Sequence, residues 1–166
     1  EDSSWRNDSV VRRESNVDPN AEPYSLTSRL LNTVGGYRWR TGNQSVAWEI
    51  QVPESGLYTI RFKVAQATTS GIPSYRRITI DGSVPFEELK LYRFDYNKNW
   101  YGETLSDEEG EPYLFYLEAG VHELKLEVKL GDFTEVIERT VDDLQYLSDL
   151  TREITKITGT DPDPNY

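Results

Sequence analysis

Apolar and polar residues alternate through most of the middle of this chain. In Gln44–Val52 (QSVAWEIQV), Val46, Trp48, Ile50 and Val52 share one face and Glu49 and Gln51 the other, the period of a half-buried strand. Pro53-Glu54-Ser55-Gly56 follows as a turn, since proline presets φ and glycine accepts a positive φ. Leu57–Ala65 resumes the alternation, with Tyr58, Ile60, Phe62 and Val64 inward and Thr59, Arg61 and Lys63 outward. Two strands joined by so short a turn are expected to pair at the centre of one sheet. Tyr75–Asp81 (YRRITID) alternates too, and Asp81-Gly82 is a tight-turn signal. Further strands are expected at Glu88–Phe94, at Tyr113–Glu118 and at Val121–Lys129, the last with Leu124, Leu126 and Val128 on one face. Thr134–Glu138 and Thr140–Leu147 are expected as the final strands.

Three stretches break the pattern. Residues 1–23 form a polar lead-in whose only candidate anchors are Trp5 and Val10–Val11, expected to dock late or not at all. Tyr24–Val34 fits a short helix or a strand, with strand the expectation. Asp95–Pro112 is polar, aromatic and irregular, and is expected to be a long loop. From Ser148 the period changes: Leu150, Ile154 and Ile157 have helical spacing behind Ser148 and Asp149 as caps, with Gly159, Pro162 and Pro164 ending the helix. Short alternating strands without intervening helices predict an all-β antiparallel β-sandwich. Its expected organisation is a lead-in (1–23), the sandwich (24–147) and a short C-terminal helix and linker (148–166) leading to a further domain.

Composition narrows the function. The chain has 166 residues, 18 basic and 29 acidic side chains, and a net charge of −11. Such an excess of acid repels phosphate backbones and anionic bilayers, so no nucleic-acid partner is expected. No apolar run approaches the roughly 20 residues of a membrane-spanning helix, so no direct membrane insertion of this segment is expected either. Without cysteine there is no disulfide and no thiolate chemistry. The single histidine, His122, excludes any triad or metal cluster built on two imidazoles, and its place early in a strand suggests a packed or edge residue. The absence of methionine suggests a segment of a longer protein.

Catalytic residues do not stand out. Among so many carboxylates some pair always resembles a glycosidase acid–base couple, so no enzyme is expected. Two stretches match the glycosylation sequon, Asn7-Asp8-Ser9 and Asn43-Gln44-Ser45; about one such match is expected by chance in a chain with this much asparagine and serine, so neither carries weight. Asp107, Glu108, Glu109 and Glu111 form an acidic run. Its order is unlike an EF-hand loop, so a solvated loop is expected there, with a structural calcium ion as the alternative and no other cofactor. The aromatics say more. Tyr37, Trp39, Tyr75, Tyr96, Trp100 and Tyr101 are interleaved with Arg38, Arg40, Asp95, Asn97 and Asn99 outside the alternating core positions. A flat ring covers the C–H face of a pyranose, while amides and charges read its hydroxyls. The other reading is that some of these rings plug the ends of the sandwich.

Gly36–Gln66 resembles carbohydrate-binding modules of families six and thirty-five, which are galactose-binding-like jelly rolls. The residues that carry this are Gly36-Tyr37, the strand Val46–Val52, the Val52-Pro53…Gly56…Tyr58 turn and the strand Thr59–Ala65. Ile80-Asp81-Gly82, Trp100 and Leu117…Ala119-Gly120…His122…Leu124 follow in the family's order. A second resemblance, through Arg77, Ile80-Asp81-Gly82, Pro85-Phe86-Glu87 and Ile157-Thr158-Gly159, is to large extracellular solute-binding proteins of bacterial sugar ABC transporters, surface lipoproteins of Gram-positive bacteria. The resemblances imply a jelly-roll fold, a place at the cell surface, an adjacent domain of the same chain and a carbohydrate partner, an oligo- or polysaccharide. They put the stacking tyrosine at Tyr37 and the loop tryptophan at Trp100. The family's terminal asparagine falls in Val141-Asp142-Asp143-Leu144, where this chain has aspartates, and Arg38-Trp39-Arg40 replaces its Gly-Asp after the tyrosine. The expected ligand-binding set is therefore Tyr37, Trp39, Asn43, Asn99, Trp100, Asp142 and Asp143. Two functions stay open: a non-catalytic domain that binds glycan weakly, and a structural domain that packs on the solute-binding lobes and binds no sugar.

Overall fold

The computed structural model describes residues 5–7 and 11–159. Strands run over Trp5–Asn7 (β1), Arg13–Glu14 (β2), Thr33–Val34 (β3), Ser45–Val52 (β4), Gly56–Tyr58 (β5), Arg61–Gln66 (β6), Ser74–Ile80 (β7), Tyr92–Phe94 (β8), Asn97–Thr104 (β9), Phe115–Leu117 (β10) and Gly120–Lys129 (β11). One long helix, Thr134–Thr158 (α1), follows. The described residues divide between Leu130 and Gly131 into two compact units.

The first unit is the expected all-β antiparallel sandwich. One layer is a five-stranded sheet in the order β1-β4-β11-β7-β8. The other is built on β5 and β6, which pair with β10 and β9. The two layers close on one apolar cluster, to which β7 gives Ile78 and Ile80, β11 gives Leu124 and Leu126, and β10 gives Phe115 and Leu117. Alternation places these side chains, because successive residues of a strand face opposite sides. Outward neighbours such as Thr59, Arg61 and Lys63 are exposed. Asp81-Gly82 forms the expected tight turn: both residues have positive φ, and Ile80 and Ser83 exchange backbone hydrogen bonds.

Several expectations are corrected. β4 and β5 do not form a hairpin. β1 and β11 occupy the two edges of β4, so the turn at Pro53 carries the chain across to the opposite layer. The lead-in is integrated into the fold. β1 pairs with β4, and Val11 is fully buried; Val10 lies outside the described residues. Asn32 ties the lead-in down further, donating through Nδ2 to the carbonyls of Asn16, Ala21 and Pro23 at 3.0 Å each and accepting from the Asn16 amide at 2.8 Å. Only Thr33–Val34 of the 24–34 segment is strand, paired with β2.

Asp95–Pro112 is not a loop throughout. β9 pairs along β6, the Leu105 amide bonds the Ile60 carbonyl at 3.0 Å, and β10 takes up the same edge at Tyr58. Residues 106–112 are an excursion pinched off by the Ser106–Pro112 bridge. Because β9 is half-exposed along its length, it carries no apolar alternation to announce it. The 88–94 segment likewise begins as a 3-10 turn, Glu87–Lys90, with Leu89 fully buried, before β8.

The second unit is α1. The segments expected as final strands are helical, and Ser148 and Asp149 lie within the helix rather than at its start. β-branched Thr134, Val136, Ile137, Thr140 and Val141 favour strand by propensity. The spacing Ile137, Val141, Leu144, Leu147, Leu150, Ile154, Ile157 is three or four residues throughout, and over this length period outweighs propensity. Gly159 ends the helix at φ 75°, its amide returning to the Thr155 carbonyl at 2.9 Å; Pro162 and Pro164 lie outside the described residues. No helix among the described residues is long and apolar enough to cross a membrane.

Candidate functional site

The antiparallel register gives the sandwich two distinct ends. β4 and β7 begin, and β11 and β8 finish, at one of them, called here the Gln44 end. The Asp81 turn, the end of β4 and the start of β11 lie at the other.

Tyr37, Trp39 and Asn43 all precede β4, so they sit at the Gln44 end. Gly35 and Gly36 (φ 101° and 48°) turn the chain into a 3-10 segment, Gly36–Arg38. This turn leaves Tyr37 62% exposed. The Arg40 guanidinium lies 3.7 Å from the Tyr37 ring centroid, a cation–π contact that covers one face. Trp39 turns the other way. It packs against the sandwich core, and its indole N–H donates to the Gln44 carbonyl at 3.3 Å. Arg76, on an inward position of β7, places its guanidinium 4.6 Å from the Trp39 ring centroid and donates to the carbonyls of Trp39 (3.2 Å) and Tyr75 (2.8 Å). Burial pushes the Arg76 pKa down to about 10, the direction expected for a cation removed from water. Gln44 pins the turn from inside, its Oε1 accepting from the amides of Arg40 (3.0 Å) and Thr41 (2.9 Å). Asn43 takes φ 66°, donates its amide to the Val128 carbonyl at 3.0 Å and receives Lys129 Nζ on Oδ1 at 3.4 Å.

Asn99 and Trp100 reach the same end by another route. β8 finishes there at Phe94, and β9 starts at Asn97 opposite Gln66 of β6. Trp100 is half-buried. The Asn99 amide donates to Asn97 Oδ1 at 2.9 Å, and burial with the charges of Glu103 and Asp95 pushes the neighbouring Tyr101 hydroxyl up to about 12. Asp142 and Asp143 are exposed positions of α1, in the second unit. The stretch expected to hold the family's terminal asparagine is thus helix rather than sandwich strand. Five of the seven expected residues therefore share one end of the sandwich by connectivity, and the two aspartates belong to another unit.

Sequence reasoning missed Arg76 and Gln44, and named Arg40 without its role. Arg76 was findable: it shares parity with Ile78 and Ile80, so an alternating strand turns its charge inward. Cations at this end include Arg38, Arg40, Arg76 and Lys129, of which Arg40 lies on the Tyr37 ring and Arg76 is desolvated against Trp39. Arg38 has Glu14 at 3.6 Å, and Lys129 pairs with Glu127. At the acidic excursion, the Glu111 amide donates to Asp107 Oδ1 at 2.8 Å. No three metal-ligating side chains converge among the described residues.

His122 stands at the other end. Its Nδ1 lies 2.6 Å from Asp81 Oδ2 and its Nε2 2.9 Å from the Glu118 carbonyl oxygen, while Asp81 Oδ1 accepts from the Glu123 amide at 2.9 Å. The pair resembles the base of a hydrolytic triad, but the nitrogen that would face a nucleophile already faces a carbonyl. With an acceptor at each nitrogen, the imidazolium satisfies both contacts and the neutral ring only one. The Asp81 hydrogen bond and then the Glu118 carbonyl raise the His122 pKa above 6.5. Burial tends to raise the Asp81 carboxyl, yet the His122 hydrogen bond, the Glu123 amide and the His122 charge together hold it below 3.8. Linkage then fixes the sign. The His122 contribution to stability is complete below pH 6.5 and is lost as pH rises through the folded value; that of Asp81 is complete above pH 3.8 and is lost as pH falls through its own. Thermal melts of wild type against His122→Gln should show a stability difference that is largest between these limits and shrinks toward both. A difference independent of pH would mean that the pair is not ionic.

No protein-family model and no curated protein matches the chain. Among solved structures, it is similar to a family 35 carbohydrate binding module from Clostridium thermocellum, at 16% identity and a TM-score of 0.48, covering 78% of this chain and 90% of that one. It is similar also to a family 35 carbohydrate binding module from an environmental isolate, at 17% identity and a TM-score of 0.45, covering 78% of this chain and 84% of that one.

Proposed function

We propose that the sandwich is a non-catalytic carbohydrate-binding domain whose site is the Gln44 end, within an extracellular, transporter-linked surface protein of a Gram-positive bacterium. One observation carries the reading. Tyr37 is 62% exposed although Arg40 already stacks on one face. Its second face and edge therefore look outward from a turn that Gly35 and Gly36 allow and Gln44 holds in place, a platform on which a pyranose can lie with little ordering cost. Asn97, Asn99 and Trp100 at the start of β9 supply amides and a second ring at the same end. The surface linkage and location rest on the likeness of Arg77, Ile80-Asp81-Gly82, Pro85-Phe86-Glu87 and Ile157-Thr158-Gly159 to the solute-binding proteins.

A shallow, wet site exchanges water for sugar hydroxyls at small net gain, so the expected Kd is roughly 0.1–1 mM. Intrinsic tryptophan fluorescence, titrated with neutral and uronate-bearing oligosaccharides, tests this. Tyr37→Ala is expected to weaken binding about tenfold, the order of one lost ring contact, while leaving the melting temperature near wild type. Arg40, beside the exposed Tyr37 ring, predicts that acidic glycans bind with a salt dependence that neutral ones lack.

A second reading has its own observation. Trp39 is packed into the core and hydrogen-bonded to Gln44, as an end plug of a purely structural domain would be. If no glycan perturbs the wild-type spectrum up to tens of millimolar, that reading replaces the first.

A further inference from the structure

At the Asp81 end, far along the strands from Tyr37, the sandwich opens into a groove of about 580 Å³. Residues 114–118 line it together with Ile80, Asp81 and Ser83 of the turn, Pro85, Phe86 and His122. All five consecutive residues line it, the inward Phe115 and Leu117 as well as the outward Leu114 and Tyr116. Three of the five, Phe115–Leu117, are β10; successive side chains of a strand point to opposite faces, so a groove lined by all three runs along the strand's edge. β10 pairs with β5 alone, and no backbone or side-chain hydrogen bond is made by residues 114–117 along its other edge among the described residues. The free edge of β10 therefore offers the backbone groups that do not face β5, the kind of site that takes an added strand.

The sides of the groove say what that strand carries. Leu114 and Tyr116 are 55% and 66% exposed, and Leu57, in register with Tyr116 on β5, is 64% exposed. An apolar strip thus runs beside the open edge. The lining holds two carboxylates, Asp81 and Glu118, one imidazole, His122, and no lysine or arginine; His122 is taken up by Asp81 at 2.6 Å, so the excess charge of the lining is a single negative one, that of Glu118. Asp81 is engaged by His122 and the Glu123 amide, whereas the Glu118 side chain is exposed and makes no hydrogen bond, its charge also acting on His122 without a close contact. A second copy of this chain would bring another Glu118 and another net charge of −11 to the same edge, which like-charge repulsion opposes.

We propose that this groove binds an extended peptide segment with alternating basic and apolar side chains, which adds to β10 as a further strand. Backbone pairing along β10 supplies the affinity, the Leu114–Tyr116 strip takes the apolar positions, and Glu118 takes a lysine or arginine. The site is separate from the Gln44 end, so its failure and that of the glycan reading are independent.

The experiment uses the full 166-residue chain, labelled with nitrogen-15 and titrated with a short blocked peptide of alternating lysine and valine, and with its glutamate–valine counterpart. The lysine peptide is expected to shift the amides of residues 80–83 and 114–118 and to slow exchange at amides of residues 114–117. Glu118→Lys is expected to weaken it about five- to tenfold, the effect of reversing one exposed charge partner. Glu109→Lys changes the net charge equally but lies outside the groove, and should leave binding near wild type. Equal weakening in both variants, equal binding of the two peptides, shifts confined to other surfaces, or no shift at millimolar peptide would each overturn the proposal. So would concentration-dependent self-association through the same residues without peptide, which would make a second copy the occupant.

Discussion

Phe115→Ala is expected to destabilise the sandwich by about 3–5 kcal/mol, the range for truncating a buried large aromatic, and to lower Tm by roughly 8–15 °C for a chain of this size. Phe115 is 3% exposed and packs edge-on against Phe86 at 5.4 Å and Tyr113 at 6.4 Å between ring centroids. Tyr113 in turn stacks on Phe86 at 4.3 Å, so the cavity would sit in the middle of a three-ring cluster with little freedom to collapse. The neighbouring Tyr116→Ala removes a ring of similar size that is 66% exposed, and should change stability by less than about 0.5 kcal/mol. Equal losses from the two substitutions would show that β10 faces the other way. Trp48→Ala should fall between them, since Trp48 packs against the core cluster but remains half-buried.

Gly35→Ala is expected to cost about 2–4 kcal/mol, combining backbone strain with a steric conflict. At φ 101° and ψ −72° an alanine would be held in a conformation that L residues rarely adopt. Its Cβ would meet Trp39 Cε3 at 2.8 Å and Trp39 Cβ at 3.0 Å. The indole cannot yield easily, because Gln44 holds its nitrogen and Arg76 packs on its face. The expected readouts are a lower Tm, a change in near-ultraviolet circular dichroism, and weaker glycan binding as Tyr37 loses its mounting. Gly36→Ala is the informative control. Its Cβ would meet only the Glu14 carboxylate, at 2.5 Å, the end of a flexible side chain, and φ 48° costs an alanine about 1 kcal/mol. If Gly35→Ala proves as mild as Gly36→Ala, Trp39 is not seated as described.

The amino-acid sequence by itself determined the strand interiors and their facing. Val46 to Val52, Phe62 and Val64, Ile78 and Ile80, and Leu124 to Val128 alternate because one side of each strand must leave water, and that local requirement is written residue by residue. The Asp81-Gly82 turn was legible for the same reason, as its positive φ values demand particular residues. The helix was legible only over its whole length: a window ending at Leu147 shows β-branched residues, and only continuation to Ile157 shows the period. Strand partners were decided by the tertiary structure alone. β4 and β5 are separated by three residues yet lie in opposite layers, because a strand has two edges and β1 and β11 claim both edges of β4. β9 hides in a polar stretch because the edge of β6 selects it through backbone hydrogen bonds, which carry no side-chain signature. The site divides in the same way. That Tyr37 and Trp100 are rings outside the core alternation was a property of the sequence. That Tyr37 faces solvent while Trp39, two residues on, is drawn inward onto Arg76 was decided by packing, because the space beneath the Gly35 turn exists only once β7 and β11 have met.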